Sequence, residues 1–100
     1  MHTTVNDVHT VDDLRQFIQK TLCEKENLLV DQFAMTEFPL IRGGELCGLH
    51  FSLRGPHNVR LGAIWAADQN MVYLYDARGT RYAKLRLKYR LATSEHMRAA

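Results

Sequence analysis

A strict alternation of cationic and apolar residues runs through Lys84-Leu85-Arg86-Leu87-Lys88-Tyr89-Arg90-Leu91. Because side chains on a strand point to opposite faces in turn, this pattern predicts a β-strand with one cationic and one apolar face. The apolar face can pack on a hydrophobic core, whereas the cationic face requires either water or an anionic partner. We expect this last strand to extend over about Arg81–Leu91.

The segments before it alternate in the same way and are separated by turn-forming residues. We predict strands at Gln32–Ile41, Leu46–Arg54, Val59–Ala67 and Met71–Tyr75. The short segments that join these strands contain glycine, proline and asparagine, which favour turns. Connections this short cannot carry parallel crossovers, so consecutive strands should be antiparallel neighbours. The sequence therefore predicts a five-stranded antiparallel β-meander.

The N-terminal part of the chain has a helical period instead. Apolar residues recur at spacings of three and four, at Val11, Leu14, Phe17, Ile18 and Leu22. Thr10 is placed to cap the helix, and Asp12 and Asp13 suit the positive end of its dipole. This pattern predicts an amphipathic helix that ends near Glu26. We expect an α+β fold in which the helix packs on one face of the meander, with a single domain at 10–91 and flexible tails at 1–9 and 92–100.

Charge is distributed unevenly along the 100 residues, whose net charge is +2. The first fifty residues sum to −4 and the last fifty to +6. Such an asymmetry is typical of proteins with an anionic partner or of self-association between oppositely charged surfaces, although it also arises by accident in small proteins.

Two features bear on the cellular compartment. Cys23 and Cys47 both occupy positions where apolar side chains are expected, which favours free thiols over a disulfide. The first residues contain no apolar run typical of a signal peptide, and no segment is long and apolar enough to span a membrane. We therefore expect a cytoplasmic protein that does not contact a membrane.

The side of the sheet away from the helix is the main candidate for a binding surface. Alternation assigns to it a set of cations, tyrosines and neighbouring polar or apolar groups: His50, Arg54, Arg60, Ile64, Tyr73, Tyr75, Lys84, Arg86, Lys88 and Arg90.

Two functions suit such a surface. Aromatic and apolar groups rimmed by arginine are typical of protein interfaces, and a homodimer or another protein partner is our leading expectation. The alternative is single-stranded nucleic acid or another polyanion, because cations neutralise phosphates and aromatic rings stack on bases. A simpler explanation for the last strand is that its cations protect a sheet edge from aggregation.

Catalytic patterns are absent from the sequence. Alternation places His50 and Cys47 on opposite faces of one strand, so they cannot form a nucleophile–base pair. The histidines have no metal-ligand spacing, and Gly43-Gly44 is too short to hold a phosphate. We expect a non-catalytic protein without a metal, a cofactor or a small-molecule substrate.

Overall fold

The computed structural model describes residues 3–29 and 32–91. Its helix is α1, Val11–Lys25, close to the predicted bounds. The Thr10 hydroxyl accepts a hydrogen bond from the backbone N–H of Asp13, and the Asp13 carboxylate accepts from the N–H of Thr10. This reciprocal capping satisfies donors that the first helical turn leaves unpaired, and it sets where the helix begins.

The sheet is mixed and has six strands, so the prediction of a five-stranded antiparallel meander is correct only in part. The strands are β1 Thr3–Val5, β2 Met35–Arg42, β3 Glu45–Arg54, β4 Arg60–Ala66, β5 Met71–Tyr75 and β6 Arg81–Leu87. Their order in the sheet is β1-β6-β5-β4-β3-β2. Strands β2 to β6 form the predicted antiparallel meander.

The additional strand is β1, which pairs in parallel with β6. The sequence prediction placed these residues in an N-terminal tail at 1–9, but Val5 and Val8 are buried in the core. Local pattern could not reveal β1, because it has three residues and its partner lies at the opposite end of the chain. The predicted C-terminal tail, 92–100, lies outside the described residues.

The core lies between α1 and one face of the sheet. The helix contributes Leu14, Ile18, Leu22 and Cys23, and the interior strands contribute Leu49, Phe51, Leu53, Leu61, Ala63, Trp65, Val72 and Leu74. The chain runs from β1 at one edge through α1 to β2 at the other edge, so the helix covers this face and leaves the opposite face uncovered by α1.

An ion pair ties the helix to the far edge of the sheet. The Arg15 guanidinium donates to both carboxylate oxygens of Glu37 on β2, with Nη2 3.2 Å from Oε2. This hydrogen bonding raises the pKa of Arg15 above its usual value. Because both side chains are partly buried and the contact is bidentate, the pair orients α1 on the sheet more firmly than an exposed pair would.

Neither cysteine forms a disulfide, as predicted. Cys23 is buried in the core, and Cys47 is half-buried in β3 beside an irregularity in its pairing with β2.

Candidate binding face

The surface opposite α1 is here called the open face. Its members alternate along each strand with the core residues and follow directly from the strand register. They are Thr36, Phe38 and Leu40 on β2, Gly48, His50, Ser52 and Arg54 on β3, Arg60, Gly62, Ile64 and Ala66 on β4, Met71, Tyr73 and Tyr75 on β5, and Arg81, Lys84 and Arg86 on β6.

A continuous row of large side chains crosses the middle of this face. Phe38 pairs with His50, His50 with Ile64, Ile64 with Tyr73, and Tyr73 with Lys84. Phe38 keeps 55% of its surface exposed. Its ring centroid lies 6.5 Å from that of His50. The row therefore presents two neighbouring rings to solvent at the β2 side and a cation at the β6 side.

Cations surround the ring of Tyr73. The Arg81 guanidinium lies 4.8 Å from the ring centroid, and the Lys84 ammonium lies 5.9 Å from it. The Tyr73 hydroxyl donates to the side-chain oxygen of Gln69 at 2.6 Å. These contacts hold the ring in place and concentrate positive charge on its faces.

A β-bulge brings Arg81 to this position. The pairing of β5 with β6 shifts between Leu74 and Tyr75, so Tyr75 pairs with Arg81 while Leu74 pairs with Ala83. The inserted residue, Tyr82, packs against the core instead. Alternation alone assigns Arg81 to the core side of the sheet and therefore missed it. A bulge moves the residues on one side of it to the opposite face of the sheet.

Eight of the predicted site residues share the open face: His50, Arg54, Arg60, Ile64, Tyr73, Tyr75, Lys84 and Arg86. Phe38 is an exposed aromatic residue that the sequence-based set did not contain. Phe38 is two residues from Thr36 on β2 and lies opposite His50 on β3. The register of these two strands, had it been known, would have assigned Phe38 to the open face.

The other two predicted residues, Lys88 and Arg90, do not extend the cationic face of β6, because β6 ends at Leu87. The Lys88 ammonium lies 5.5 Å from the ring centroid of Tyr89. The Arg90 guanidinium donates to the backbone oxygens of Ala67 at 2.9 Å and Asp68 at 3.2 Å. The prediction that the strand continues to Leu91 is wrong. The strand ends because of a tertiary contact, in which the backbone oxygens of Leu87 and Tyr89 accept hydrogen bonds from the Asn70 side chain.

The charged residues among the open-face residues named above are all cationic. They are Arg54, Arg60, Arg81, Lys84 and Arg86, and none of the open-face residues named above is an aspartate or glutamate. The carboxylate of β2, Glu37, faces the helix and pairs with Arg15. These residues therefore give the face a positive potential, and the exposed carboxylate of β3, Glu45, lies at the start of that strand, opposite Arg42.

Two shallow cavities open on this face. One, of about 400 Å³, is lined by Gln69, Met71, Tyr73, Lys84 and Arg86. The other, of about 330 Å³, lies at the β2–β3–β4 side and is lined by Ala34, Thr36, Phe38, Ser52, Arg54 and Arg60. Each combines cations with an aromatic ring.

A third cavity, of about 430 Å³, lies away from this face at the end of the sheet and includes Cys47, Trp65, Asp68 and Arg90 in its lining. The Cys47 thiol donates to the backbone oxygen of Leu40 at 3.1 Å, whereas His50 lies on the open face beside Phe38. Within residues 3–29 and 32–91, no three His, Cys, Asp or Glu side chains cluster in a way that could hold a metal ion.

No helix in the described part of the chain has the length and apolar character needed to cross a membrane. Comparisons with models of known protein families, with curated proteins and with solved structures found no significant match.

Proposed function

We propose that this protein is a small, non-catalytic binding domain whose open face binds single-stranded nucleic acid. The observation that carries the proposal is the composition of that face, which combines cations and aromatic rings with no acidic residue among the open-face residues of its strands. Such surfaces bind single strands by neutralising the phosphates with cations and stacking bases on rings.

The spacing of the cations suits an extended strand. Lys84 and Arg86 lie on the same face of β6, so their backbone positions are roughly 6.6–6.8 Å apart. This distance is close to the separation of phosphates in extended nucleic acid. Arg54 and Arg60 provide a second cationic group on β3 and β4, and β5, which carries Tyr73, lies between β6 and β4 in the sheet order.

Protection of a sheet edge accounts for Arg81 and Lys84, which β1 does not cover, but not for the other cations. Arg54 and Arg60 belong to β3 and β4, which are interior strands. The strand β6 is paired with β1 along Leu85–Leu87, so its Arg86 is not at an edge either. Cations on interior strands have no role in preventing edge-to-edge pairing.

Self-association through the open face is the second candidate, because Phe38 and Ile64 offer apolar contact area. A two-fold homodimer would place this surface against a copy of itself. It would bring the cations of one copy near those of the other, and none of the open-face residues named above supplies a carboxylate to separate them. This repulsion favours an anionic partner over a homodimer.

The proposal includes a reducing, cytoplasmic location, in which nucleic acid is accessible. Its support is that neither cysteine forms a disulfide, which is the usual state in that compartment.

A salt titration with matched variants tests the proposal. Binding of labelled oligothymidylate of about 12 nucleotides is measured by fluorescence anisotropy between about 50 and about 200 mM salt. We expect the logarithm of the association constant to fall with the logarithm of salt concentration with a slope of about −3, which corresponds to four or five phosphate contacts. A flat response would exclude the proposed mode of binding.

Charge-matched variants separate the open face from the overall charge of the protein. The double variant Arg60→Gln/Lys84→Gln should weaken binding strongly and reduce the salt slope by about 1.4. The control Lys20→Gln/Arg78→Gln removes the same charge from the exposed helix surface and from the β5–β6 turn. If both double variants weaken binding equally, the open face is not the binding surface.

The aromatic contribution is tested by Phe38→Ala, which should reduce affinity about tenfold, in line with the loss of one stacked base. Leu29→Ala is the control, because Leu29 is an exposed apolar residue outside the strands. Light scattering on the free protein tests the second candidate: a dimer that dissociates in Ile64→Ala would favour self-association.

A further inference from the structure

The cavity beside Phe38 has features of a site for a doubly charged anion. Arg54 and Arg60 occupy directly opposed positions on β3 and β4. Directly opposed residues in an antiparallel pair have Cβ atoms roughly 4.5–5.5 Å apart, and like charges at such positions are destabilising. Among the described residues, no carboxylate forms an ion pair with either guanidinium.

The connection between the two strands maintains this opposition. It is a tight turn, Pro56–Asn58, closed by a hydrogen bond of 2.8 Å from the N–H of Gly55 to the oxygen of Val59. His57 and Asn58 both have left-handed backbone conformations, with φ of 58° and 62°. Asparagine and histidine adopt this conformation more often than most other non-glycine residues, so both residues suit a tight turn here.

Neutral hydrogen-bonding groups and an aromatic ring complete the cavity. The Thr36 hydroxyl donates to the backbone oxygen of Ser52 at 3.2 Å, so Thr36 is already engaged with β3. The Ser52 side chain lines the cavity, next to the two arginines and the exposed ring of Phe38. The arrangement thus offers two guanidinium groups, a hydroxyl and a stacking surface within one cavity of about 330 Å³.

We propose that this cavity holds the terminal phosphate of a single-stranded nucleic acid, with the base of the end nucleotide stacked on Phe38. The inference rests on the proposed function and specifies which part of the ligand the cavity takes. A terminal phosphomonoester carries a charge of about −1.5 to −2 at pH 7, whereas each internal phosphodiester carries one negative charge. Two opposed arginines match the dianion, and guanidinium groups bind its oxygens in pairs.

The test compares oligothymidylates of equal length that carry a 5′-phosphate, a 3′-phosphate or no terminal phosphate. We expect one phosphorylated form to bind about tenfold more tightly than the unphosphorylated form, as charge-assisted hydrogen bonds contribute on this scale. The preference should decline between pH 7 and pH 5, because the second pKa of a phosphomonoester is about 6.

Two variants locate the effect. Arg60→Gln should remove the preference for a terminal phosphate while unphosphorylated oligothymidylate still binds. Lys84→Gln should weaken binding of all the oligonucleotides by a similar factor and leave the preference unchanged. Arg54→Gln removes the other arginine of the opposed pair and should have the same effect as Arg60→Gln. Thermal unfolding confirms that each variant is folded.

The outcomes distinguish this inference from the proposed function. Equal affinity for phosphorylated and unphosphorylated oligonucleotides overturns the terminal-phosphate site and leaves nucleic-acid binding intact. A preference that persists unchanged in Arg60→Gln and in Arg54→Gln places the phosphate elsewhere and also overturns the site. Absence of binding to every oligonucleotide overturns both.

Discussion

The indole N–H of Trp65 donates a hydrogen bond to the side-chain oxygen of Asn70 at 3.0 Å. Asn70 is 6% exposed. Its side-chain nitrogen donates to the backbone oxygens of Leu87 at 3.2 Å and Tyr89 at 2.8 Å. This one amide joins the core tryptophan to the point where β6 ends, and it positions the segment that follows the cationic strand.

Replacing Asn70 should destabilise the protein. In Asn70→Ala the buried Trp65 N–H loses its acceptor, and alanine must adopt the left-handed conformation that Asn70 has, with φ of 54°. We expect a loss of about 2–4 kcal/mol in the free energy of unfolding, measured by urea denaturation with Trp65 fluorescence as the probe. Asn70→Gly is the matched control: it removes the same hydrogen bonds without the backbone strain, so it should cost about 1 kcal/mol less than alanine. Equal losses would show that strain does not contribute.

The N-terminal segment should contribute to stability, contrary to its appearance as a tail. Val8 is almost fully buried in the core. Val8→Ala should lower the free energy of unfolding by about 2 kcal/mol through lost burial and a residual cavity. Asn6→Ala, at an exposed position in the same segment, should change it by less than about 0.5 kcal/mol. If chemical denaturation gives the same midpoint for both variants and the parent, the segment does not pack as described.

Two strand glycines should respond oppositely to alanine. A Cβ at Gly48 would overlap the backbone oxygen of Trp65, so Gly48→Ala should cost about 2–3 kcal/mol. A Cβ at Gly62 would make only ordinary contacts, the nearest at 3.6 Å to the oxygen of Phe51. Gly62→Ala should therefore raise stability by about 0.5 kcal/mol, since alanine has less conformational entropy to lose on folding. Thermal unfolding of the pair checks both signs.

Gly62 also lies on the open face between Ser52 and Tyr75. A glycine that the fold does not require, in the interior of a strand, is typical of a place where a ligand approaches the backbone closely. We expect Gly62→Ala to weaken oligothymidylate binding severalfold even though the protein becomes more stable. Unchanged affinity would indicate that the ligand does not approach β4 at this point.

Tyr82 should make stability depend on alkaline pH. Its hydroxyl is buried, and no described residue forms a hydrogen bond with it. Burial, with smaller contributions from Asp76 and Glu26, raises the pKa of Tyr82 above the usual value of 10.0. The folded state binds this proton more tightly than the unfolded state does. The contribution of the protonated hydroxyl to the free energy of unfolding is therefore complete below pH 10, and it is lost as the pH rises through the folded-state pKa.

The variant Tyr82→Phe removes both the titration and the unsatisfied hydroxyl. We expect its free energy of unfolding near neutral pH to equal or exceed that of the parent by up to about 1 kcal/mol, and to fall less than the parent's above pH 10. Urea denaturation at neutral and alkaline pH measures the difference. A large loss of stability at neutral pH would mean that the hydroxyl has a partner in the folded protein.

Alternation and helical periodicity were sufficient to predict α1, the antiparallel pairing of β2 to β6, and the separation of core residues such as Phe51 from open-face residues such as His50. These features depend on which side of a strand or helix each residue occupies, and that is a local property of the backbone. Most of the candidate site could be predicted for the same reason.

The remaining features depend on contacts between residues distant in sequence. The pairing of Thr3–Val5 with β6 joins the two ends of the chain. The end of β6 at Leu87 follows from hydrogen bonds with Asn70, so Lys88 and Arg90 do not lie on the cationic strand face that alternation predicted for them. The β-bulge at Tyr82 brings Arg81 to the ring of Tyr73. The alternating run at Lys84–Leu91 thus specified a strand with a cationic face. The length of that strand, its neighbours and the cations that share its surface were decided only by the tertiary structure. The reason is that strand register and termination depend on partners that the run does not contain.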